Sequence, residues 1–420
     1  MKKICVMGLG YIGLPTASLL ATKGYLVHGV DLNQEAVSII NNGGIQIHEP
    51  DLDIMVKAAV QSGKLHAATE PEEADVFIIA VPTPFKDGHV PDIAYVEQAT
   101  RAIAPCLKAG NLIILESTSP VKTTENIAAW LKELRPDLDI PERDLYGLNT
   151  LNESAQRIYI AHSPERVLPG QILKELVEND RVIGGIDQAS AAAAGEFYRS
   201  FVKGEIKLTD SRTAELCKLT ENAFRDVNIA FANELSLICD NLEINVWELV
   251  ELANRHPRVS ILQPGPGVGG HCIAVDPWFI VDSVPEQARL IRTAREINDG
   301  KPDFVLEKVR CKASRFKEAV IACLGLSFKA DIDDLRESPA LEIVEKIAQK
   351  DLGRILVVEP HIRSLPESLK KYPALELVDL GQALQEADLI VLLVNHRVFA
   401  DVNREVLKEK VIIDTRGMWK

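Results

Sequence analysis

The stretch Ile4–Asp31, ICVMGLGYIGLPTASLLATKGYLVHGVD, decides the fold of the first part of the chain. An apolar run ends at Gly8, a helical pattern follows to Lys23, and Tyr25–Val30 forms a second apolar run. Glycines in the order GxGxxG between a strand and a helix allow a tight turn and bring a pyrophosphate to the helix N-terminus. The stretch therefore predicts a strand, a dinucleotide-binding turn and a helix. The competing interpretation is a glycine-rich surface turn.

Asp31 ends the second strand at the spacing where an acid accepts hydrogen bonds from the adenosine ribose. Its charge repels a 2′-phosphate, so the pattern favours NAD over NADP. Further apolar runs at Ala74–Val81 and Leu112–Leu115 indicate buried parallel strands. Thr83 and Thr118 follow them, at the sheet edge where open α/β folds bind ligands. Both threonines are candidate cofactor contacts, and a helix cap is the competing role for each.

Composition indicates a soluble globular protein. Its 420 residues are 46% hydrophobic and 26% charged, enough for about two or three domains. The net charge of −14 argues against nucleic acid or an anionic membrane surface as a partner. The seven cysteines show neither a disulfide framework nor zinc-site spacing, so no metal is predicted. No signal peptide or run of the ~20 apolar residues of a membrane span is found, so we expect a cytoplasmic protein.

The end of the chain restarts an α/β pattern. Only Gly325-Leu326-Ser327-Phe328-Lys329 follows its first apolar run, so a second dinucleotide site is not expected. Lys329, Arg336 and Arg416 lie in the predicted strand-end loops and are cations suited to phosphates, although surface cations are usually only solvated. The predicted strands are Val320–Leu324, Ile355–Val358, Leu389–Val394 and Val411–Ile413.

A long helix is predicted between these two α/β regions, from about Ser211 to Asn241. Lys218, Asn222 and Arg225 fall at i, i+4 and i+7, so they share one face of that helix. A solvated face is the alternative, but the helix is apolar on its other sides. We therefore predict two doubly wound Rossmann-like α/β domains, joined by a central helical region. The predicted bounds are 1–210, 211–300 and 301–420.

The stretch Gln263–Pro277, QPGPGVGGHCIAVDP, carries the strongest chemical signal. Gly269-Gly270 lead directly to His271 and Cys272, and Asp276 follows. Glycines let the backbone approach a ligand closely and present the next side chains into a cavity. Cys272 is therefore a candidate nucleophile. The competing interpretation is a small buried hydrophobe, the usual role of a free cysteine.

Several motifs follow one another along the chain: MGLGYIGLPTA, VPTP, ESTSP, SPERVLPG, the Lys218–Asn222 helix, GVGGHCIAVDP and FKADIDDLRESPA. In this order the chain resembles the nucleotide-sugar 6-dehydrogenases, the UDP-glucose/UDP-N-acetylsugar dehydrogenase superfamily, over its whole length. Residues 224–272 are similar in particular to the UDP-N-acetyl-D-mannosamine dehydrogenases. One departure argues against UDP-glucose itself. UDP-glucose dehydrogenases typically carry a lysine before the aspartate, where this chain has Val275.

The resemblance implies a four-electron oxidation of UDP-N-acetyl-D-mannosamine at C6 by NAD, for bacterial capsule or enterobacterial common antigen precursors. UDP-N-acetylglucosamine and UDP-glucose are the alternative substrates. A thiolate can add to the intermediate aldehyde, so that a second hydride can leave. By resemblance Cys272 is the nucleophile, Lys218 stabilises the oxyanion or moves the proton, and Glu165 is the base for hydrolysis. Asn222 and Asp276 would hold a water and the reacting oxygen; whether Lys218, Asp276 or an activated water takes the first proton stays open.

The resemblance also implies two sets of binding residues and a homodimer. The residues expected at NAD are Gly8, Gly10, Tyr11, Ile12, Gly13, Asp31, Thr83, Thr118 and Arg336. Those expected at the UDP-sugar are Arg166, Val167, Lys218, Asn222, Arg225, His256, Arg258, Gly269, Phe328, Lys329 and Arg416. The central helices would build the dimer, with Arg258 reaching the neighbouring active site.

Two other classes of protein stay in view. One is a single-step hydroxy-acid dehydrogenase of related fold, which needs a lysine and an asparagine on the helix but no thiol. The other is a UDP-sugar-binding protein without turnover. The combination of Cys272 with Glu165 argues against both.

Overall fold

The structure, a computed structural model, describes residues 2–47, 49–143, 154–270 and 272–419. The chain divides into two compact units, Met1–Glu221 and Asn222–Lys420, and the boundary falls inside a long helix. The division into three domains stays a prediction. Within the described residues, no helix has both the length and the apolar character that crossing a bilayer requires.

The first unit alternates strands and helices. Its elements are β1 Lys3–Met7, α1 Gly13–Thr22, β2 Leu26–Val30, α2 Gln34–Asn41, α3 Leu52–Gln61, β3 Leu65–Ala68, β4 Val76–Ile79, β5 Phe85–Lys86, β6 Val90–Pro91, α4 Ala94–Ile103, β7 Leu112–Leu115, α5 Thr123–Leu134, β8 Tyr159–His162, α6 Ile172–Glu178, β9 Arg181–Gly185, α7 Gln188–Arg199, β10 Ile206–Asp210 and α8 Ser211–Asn241, which continues into the second unit. Short 3-10 turns lie at Asp87–His89 and Ala104–Cys106.

The main sheet of the first unit has the strand order β10-β9-β8-β7-β4-β1-β2-β3. Its strands pair in parallel, except that β8 and β9 are antiparallel. Ile4 and Val6 pack into one apolar cluster and Cys5 and Met7 into another, as the alternation of side chains along a strand requires. Both faces of the sheet are thus covered. The strand order reverses between β1 and β4, which is where doubly wound sheets bind ligands.

The second unit repeats this plan with a smaller sheet, ordered β13-β12-β11-β14-β15 and wholly parallel. Its strand order reverses between β11 and β14. The elements after α8 are α9 Val246–Ala253, α10 Asp276–Ser283, α11 Arg289–Ala313, β11 Val320–Leu324, α12 Pro339–Gln349, β12 Arg354–Val358, α13 Glu367–Lys370, β13 Leu375–Leu377, α14 Leu380–Glu386, β14 Leu389–Leu392, α15 Arg397–Ala400, α16 Arg404–Leu407 and β15 Val411–Asp414.

The predicted fold class of two doubly wound α/β sheets and a long helix is confirmed. Helix α11 runs from Arg289 to Ala313 and contains Pro302 in its interior. Proline removes a helix hydrogen bond and normally ends or kinks a helix. Here the residues beyond it, Val305 and Val309, are buried in the core of the second unit, and this packing stabilises the longer helix.

Candidate active site and cofactor site

The loop after β1 has the shape that a dinucleotide turn needs. Gly8 has a φ of 92°, and a side chain there would come within 2.5 Å of the carbonyl oxygen of Ala80. At Gly10, by contrast, no described atom lies within 4 Å of the place a Cβ would take. The backbone at Gly10 is therefore open to a close ligand. Ile12, the N-cap of α1, provides no capping side chain, so the positive end of the helix dipole is available to an anion.

The acid and the hydroxyl residues predicted at the cofactor lie around this loop. Asp31 accepts hydrogen bonds from the N–H of Leu9 at 3.0 Å, through Oδ2, and from a neighbouring backbone N–H, through Oδ1. Each carboxylate oxygen can accept a further bond, so a ribose hydroxyl still has an acceptor. Thr83 and Thr118 come together, since Thr83 Oγ1 donates to the carbonyl of Thr118 at 2.5 Å. Tyr11, which follows Gly10 in the loop after β1, is 40% exposed. The open loop, the acid at the end of β2 and the hydroxyl residues fit NAD.

Glu165 is buried and already held at both oxygens. Its Oε1 accepts from the N–H of Arg166 at 2.7 Å, and its Oε2 lies 2.8 Å from Nη2 of Arg181. Arg166, predicted at the substrate, pairs with Glu221 at 2.7 Å. Val167 packs against the core of the first unit. The sequence reasoning missed Arg181 and Glu221 because a charged partner far along the chain leaves no local pattern.

Lys218, Asn222 and Arg225 lie on one continuous helix, α8, as predicted. Lys218 is half-buried in the first unit, and Arg225 is exposed. Asn222 and Asp276 are both buried, and Nδ2 of Asn222 donates to Oδ2 of Asp276 at 2.5 Å. The structure thus brings together two residues that stand 54 positions apart in the chain.

Cys272 lies just before the N-terminus of α10, where its carbonyl accepts the N–H of Asp276 at 2.9 Å. It is exposed, whereas the packing alternative requires burial. The preceding loop is closely packed: a side chain at Gly269 would come within 2.3 Å of the carbonyl oxygen of Glu337 and 2.9 Å of Cβ of Phe328. Only glycine fits there, and the position of the thiol is set by the backbone. His271 lies outside the described residues.

The cations of the second unit have different surroundings. Arg336 pairs with Asp334 at 2.6 Å, and its carbonyl accepts the N–H of Gly270 at 3.4 Å. Arg336, predicted at NAD, thus belongs to the second unit, while Gly8–Gly13 belongs to the first. Lys329 is exposed.

Arg416 has the surroundings of an anion-binding residue. Its Nε donates to the carbonyl of Leu393 at 3.0 Å, and its guanidinium lies against Gly265. No carboxylate among the described residues forms an ion pair with it. Burial lowers the pKa of Arg416 to about 10, opposed by Asp414, so it is still charged at neutral pH. A desolvated cation without a carboxylate partner suits a phosphate.

His256 and Arg258 are exposed near the end of α9. The N–H of Arg258 donates to Nδ1 of His256 at 3.4 Å. Among the described residues, no hydrogen bond or ion pair joins either one to the other predicted site residues. Their assignment to the substrate stays a prediction.

Three regions of the chain match the domains of one protein family. Residues 2–202 match the NAD binding domain of the UDP-glucose/GDP-mannose dehydrogenase family, 212–300 its central domain and 322–420 its UDP binding domain. The chain belongs to the UDP-glucose/GDP-mannose dehydrogenase family. It is an NAD-dependent dehydrogenase, and its substrate is a UDP-sugar.

Relatives within this family cover the whole chain. The chain is 61% identical over 418 residues to an NDP-N-acetyl-D-galactosaminuronic acid dehydrogenase of Ralstonia nicotianae, covering 100% of this chain and 96% of the relative. It is 59% identical over 405 residues to a UDP-N-acetyl-D-mannosamine dehydrogenase of Campylobacter jejuni, covering 96% and 98%. Among solved structures, a UDP-N-acetyl-mannosamine dehydrogenase of Staphylococcus aureus is 44% identical with a TM-score of 0.85, covering 100% of this chain and 96% of that one.

Proposed function

We propose that the protein oxidises UDP-N-acetyl-D-mannosamine at C6 to UDP-N-acetyl-D-mannosaminuronate, using two NAD per sugar, in the cytoplasm. The product would serve a bacterial surface polysaccharide. The observation that carries the chemistry is the exposed Cys272 on its closely packed glycine loop, whose carbonyl accepts the N–H of Asp276 from the buried Asn222–Asp276 pair. An enzyme that stops at the aldehyde, or a protein that only binds the sugar, has no use for a nucleophile at this position.

In the proposed mechanism Gly8–Gly13 and Asp31 would hold NAD, and one NAD would accept the hydride in each of the two oxidations. The thiolate of Cys272 forms a C–S bond to the aldehyde carbon, while the charge of Lys218 stabilises the oxygen. Loss of the second hydride from that carbon leaves a thioester. Glu165 then takes a proton from water as the water oxygen bonds to the acyl carbon; the C–S bond breaks and the thiolate is restored. The Asn222–Asp276 pair orients the reacting groups.

The identity of the sugar rests on the relatives and on one residue. The Campylobacter jejuni relative is named for UDP-N-acetyl-D-mannosamine, and the Ralstonia nicotianae relative, at 61% identity, for an N-acetyl-D-galactosaminuronic acid. Both names carry an N-acetyl group, and Val275 replaces the lysine typical of UDP-glucose dehydrogenases. UDP-N-acetyl-D-galactosamine is therefore the second candidate. A site built to hydrogen-bond the amide rejects a bare hydroxyl strongly, because buried polar groups are then left unpaired.

The test is a comparison of kcat/KM on four UDP-sugars: the N-acetyl forms of mannosamine, galactosamine and glucosamine, and UDP-glucose. We expect UDP-N-acetyl-D-mannosamine to be preferred, with two NADH formed per sugar under limiting substrate. A preference for another N-acetyl sugar would change the epimer alone, and a preference for UDP-glucose would overturn the assignment. A ratio of one NADH per sugar would contradict the four-electron mechanism.

The proposal includes a homodimer. Phe224, Phe231 and Ile238 recur every seven residues along α8 and are 68%, 51% and 47% exposed. Such an apolar stripe on a helix suits a second copy of the chain. If Arg258 serves the partner's site, mixing inactive Cys272→Ala with inactive Arg258→Ala subunits should restore activity in hybrid dimers. No restoration, with subunit exchange demonstrated, would place Arg258 elsewhere.

A further inference from the structure

Arg181 stands between two buried carboxylates in the first unit. It opens β9 and is 3% exposed. Its Nη2 lies 2.8 Å from Oε2 of Glu165, and its Nη1 lies 3.5 Å from Oε1 of Glu116. The guanidinium also covers the ring of Tyr198, with 4.9 Å between Cζ and the ring centroid. A planar guanidinium can serve two carboxylates through separate nitrogens, which a lysine ammonium cannot do in the same geometry.

Glu116 holds the other side of this cluster. It follows β7, is 1% exposed, and accepts hydrogen bonds from Tyr198 Oη at 3.1 Å and from Thr16 Oγ1 at 3.4 Å. Two carboxylates thus share one cation. Burial raises the pKa of Glu116 to about 7; Arg181 opposes this rise and the charge of Glu165 adds to it.

We propose that Arg181 is the positioning residue for Glu165 in hydrolysis of the thioester, and that Glu116 holds Arg181 in place. The inference rests on the proposed function, since it requires Glu165 to be the hydrolytic base. With one oxygen on the N–H of Arg166 and the other on Arg181, the carboxylate has one fixed orientation and keeps a lone pair for the proton of water. General base catalysis depends on this orientation.

The test is Arg181→Lys, which keeps the charge but reaches only one carboxylate. After it is mixed with UDP-sugar and NAD, the variant should still form two NADH per site in the first turnover. The reaction is then quenched in acid. Hydrolysis should slow by roughly tenfold to 100-fold, as for a misplaced catalytic group. Intact mass measurement should then show an acyl adduct on Cys272. Arg157→Lys is the matched control, because Arg157 also pairs with a carboxylate, Asp187, in this unit, and it should show no adduct.

Glu165→Gln separates failure of the inference from failure of the proposed function. If Glu165→Gln accumulates the adduct and Arg181→Lys does not, only the role of Arg181 is overturned. If Glu165→Gln forms two NADH without an adduct, Glu165 is not the hydrolytic base, and both statements fall. If Arg181→Lys slows NADH formation as much as hydrolysis, the residue is structural and the inference is wrong.

If Arg181→Lys does not fold, Glu116→Gln and the pH dependence of hydrolysis test the inference instead. Protonation of Glu116 leaves Arg181 wholly to Glu165 and makes that carboxylate a weaker base. Hydrolysis in the unmodified enzyme should therefore slow as pH falls through the pKa of Glu116, about 7. Glu116→Gln keeps the contacts to Tyr198 and Thr16, and its rate should lack this inflection. The same inflection in both proteins would overturn the role of Glu116.

Discussion

Two glycine loops of this protein, one in each unit, begin alike and end differently. Gly8 follows β1 with a φ of 92° and donates its N–H to the carbonyl of Val30 at 2.7 Å. Gly325 follows β11 with a φ of 94° and donates its N–H to the carbonyl of Val358 at 2.8 Å. Each glycine therefore makes the same turn, at the point where the strand order of its sheet reverses.

An acid follows the second strand of each sheet and accepts an N–H from the loop. Asp31 accepts the N–H of Leu9 at 3.0 Å, and Glu359 accepts the N–H of Leu326 at 2.7 Å. The glycine turn and the acid after the second strand, which together are typical of a dinucleotide site, are thus present in both units. Only the first copy lies in the region that matches the NAD binding domain.

The next residues make the difference. Gly10 faces open space, but its counterpart Ser327 is buried and donates its N–H to Glu359 at 3.1 Å and its hydroxyl to the carbonyl of Lys329 at 2.7 Å. His396, which is fully buried, places Nε2 3.1 Å from the same oxygen of Glu359. The second loop therefore satisfies its own polar groups and supports Phe328 and Lys329. A turn of this kind binds a dinucleotide only where it leaves room for the pyrophosphate and keeps polar groups unused.

The internal bonds of His396 also bear on a metal site. Asp331, His361 and His396 lie close enough to share an ion. Nδ1 of His396 accepts the N–H of Asp331 at 2.9 Å, while its Nε2 faces Glu359. Both ring nitrogens are therefore engaged within the unit, and a metal would have to break one of these contacts.

The largest effect is expected from Gly325→Ala. The methyl group would lie 2.3 Å from Cβ of Val394 at a positive φ, so strain and overpacking should cost roughly 2–4 kcal/mol of unfolding free energy. Gly10→Ala is the matched control, because its methyl group meets open space. It should leave stability unchanged and weaken NAD binding by roughly tenfold or more, about 1.4 kcal/mol.

Denaturant unfolding and titration with NAD measure the two readouts. If Gly325→Ala were as stable as the unmodified protein, the second loop would not be closed as described. If Gly10→Ala bound NAD normally, the open space at Gly10 would not be part of the cofactor site.

A smaller effect is expected from Glu359→Gln, which weakens the bonds from Leu326, Ser327 and His396. The loss should be roughly 1–3 kcal/mol. Burial alone would raise the pKa of Glu359, but bonds from His396 and Leu326 lower it overall, so its stabilisation is present at neutral pH and lost as pH falls through the folded pKa. The variant should lack this acid-dependent loss. Hydrogen exchange at residues 325–329 should also accelerate, and KM for the UDP-sugar should rise.

Asp31→Asn is the control in the first unit. Asp31 is half-buried and receives only backbone bonds, so its amide should cost little stability and act on NAD affinity instead. An equal loss of stability in Glu359→Gln and Asp31→Asn would show that the two acids stabilise their loops to the same extent, and would contradict this difference.

Local sequence patterns predicted much of this fold, but they did not predict the charge pairs between residues far apart in the chain. Helix α8 was predicted with its bounds and the first glycine loop with its acid, because periodicity and turn chemistry are local. The cluster of Glu116 and Arg181 could not be found in this way, since these residues stand 65 positions apart and meet only through the sheet. The missing glycine predicted only that the second loop binds no dinucleotide. The hydrogen bonds that close the loop were not predicted, since His396 lies 69 positions from Ser327. Such pairs depend on strand order, which sequence spacing does not encode.

The smallest effect is expected from Ser327→Gly, which restores the Gly-Leu-Gly order of the first loop in the second. The variant loses the hydrogen bond from the hydroxyl to the carbonyl of Lys329, worth about 1 kcal/mol, and the longer contact of 3.4 Å with Nε2 of His396. It should not gain a second NAD site, because Glu359 still accepts the N–H of Leu326 and still faces His396. Calorimetric titration should therefore give one NAD per chain, as in the unmodified protein. Two NAD per chain would mean that the serine alone closes the loop, and the double variant Ser327→Gly with Glu359→Asp would then distinguish the part played by the acid.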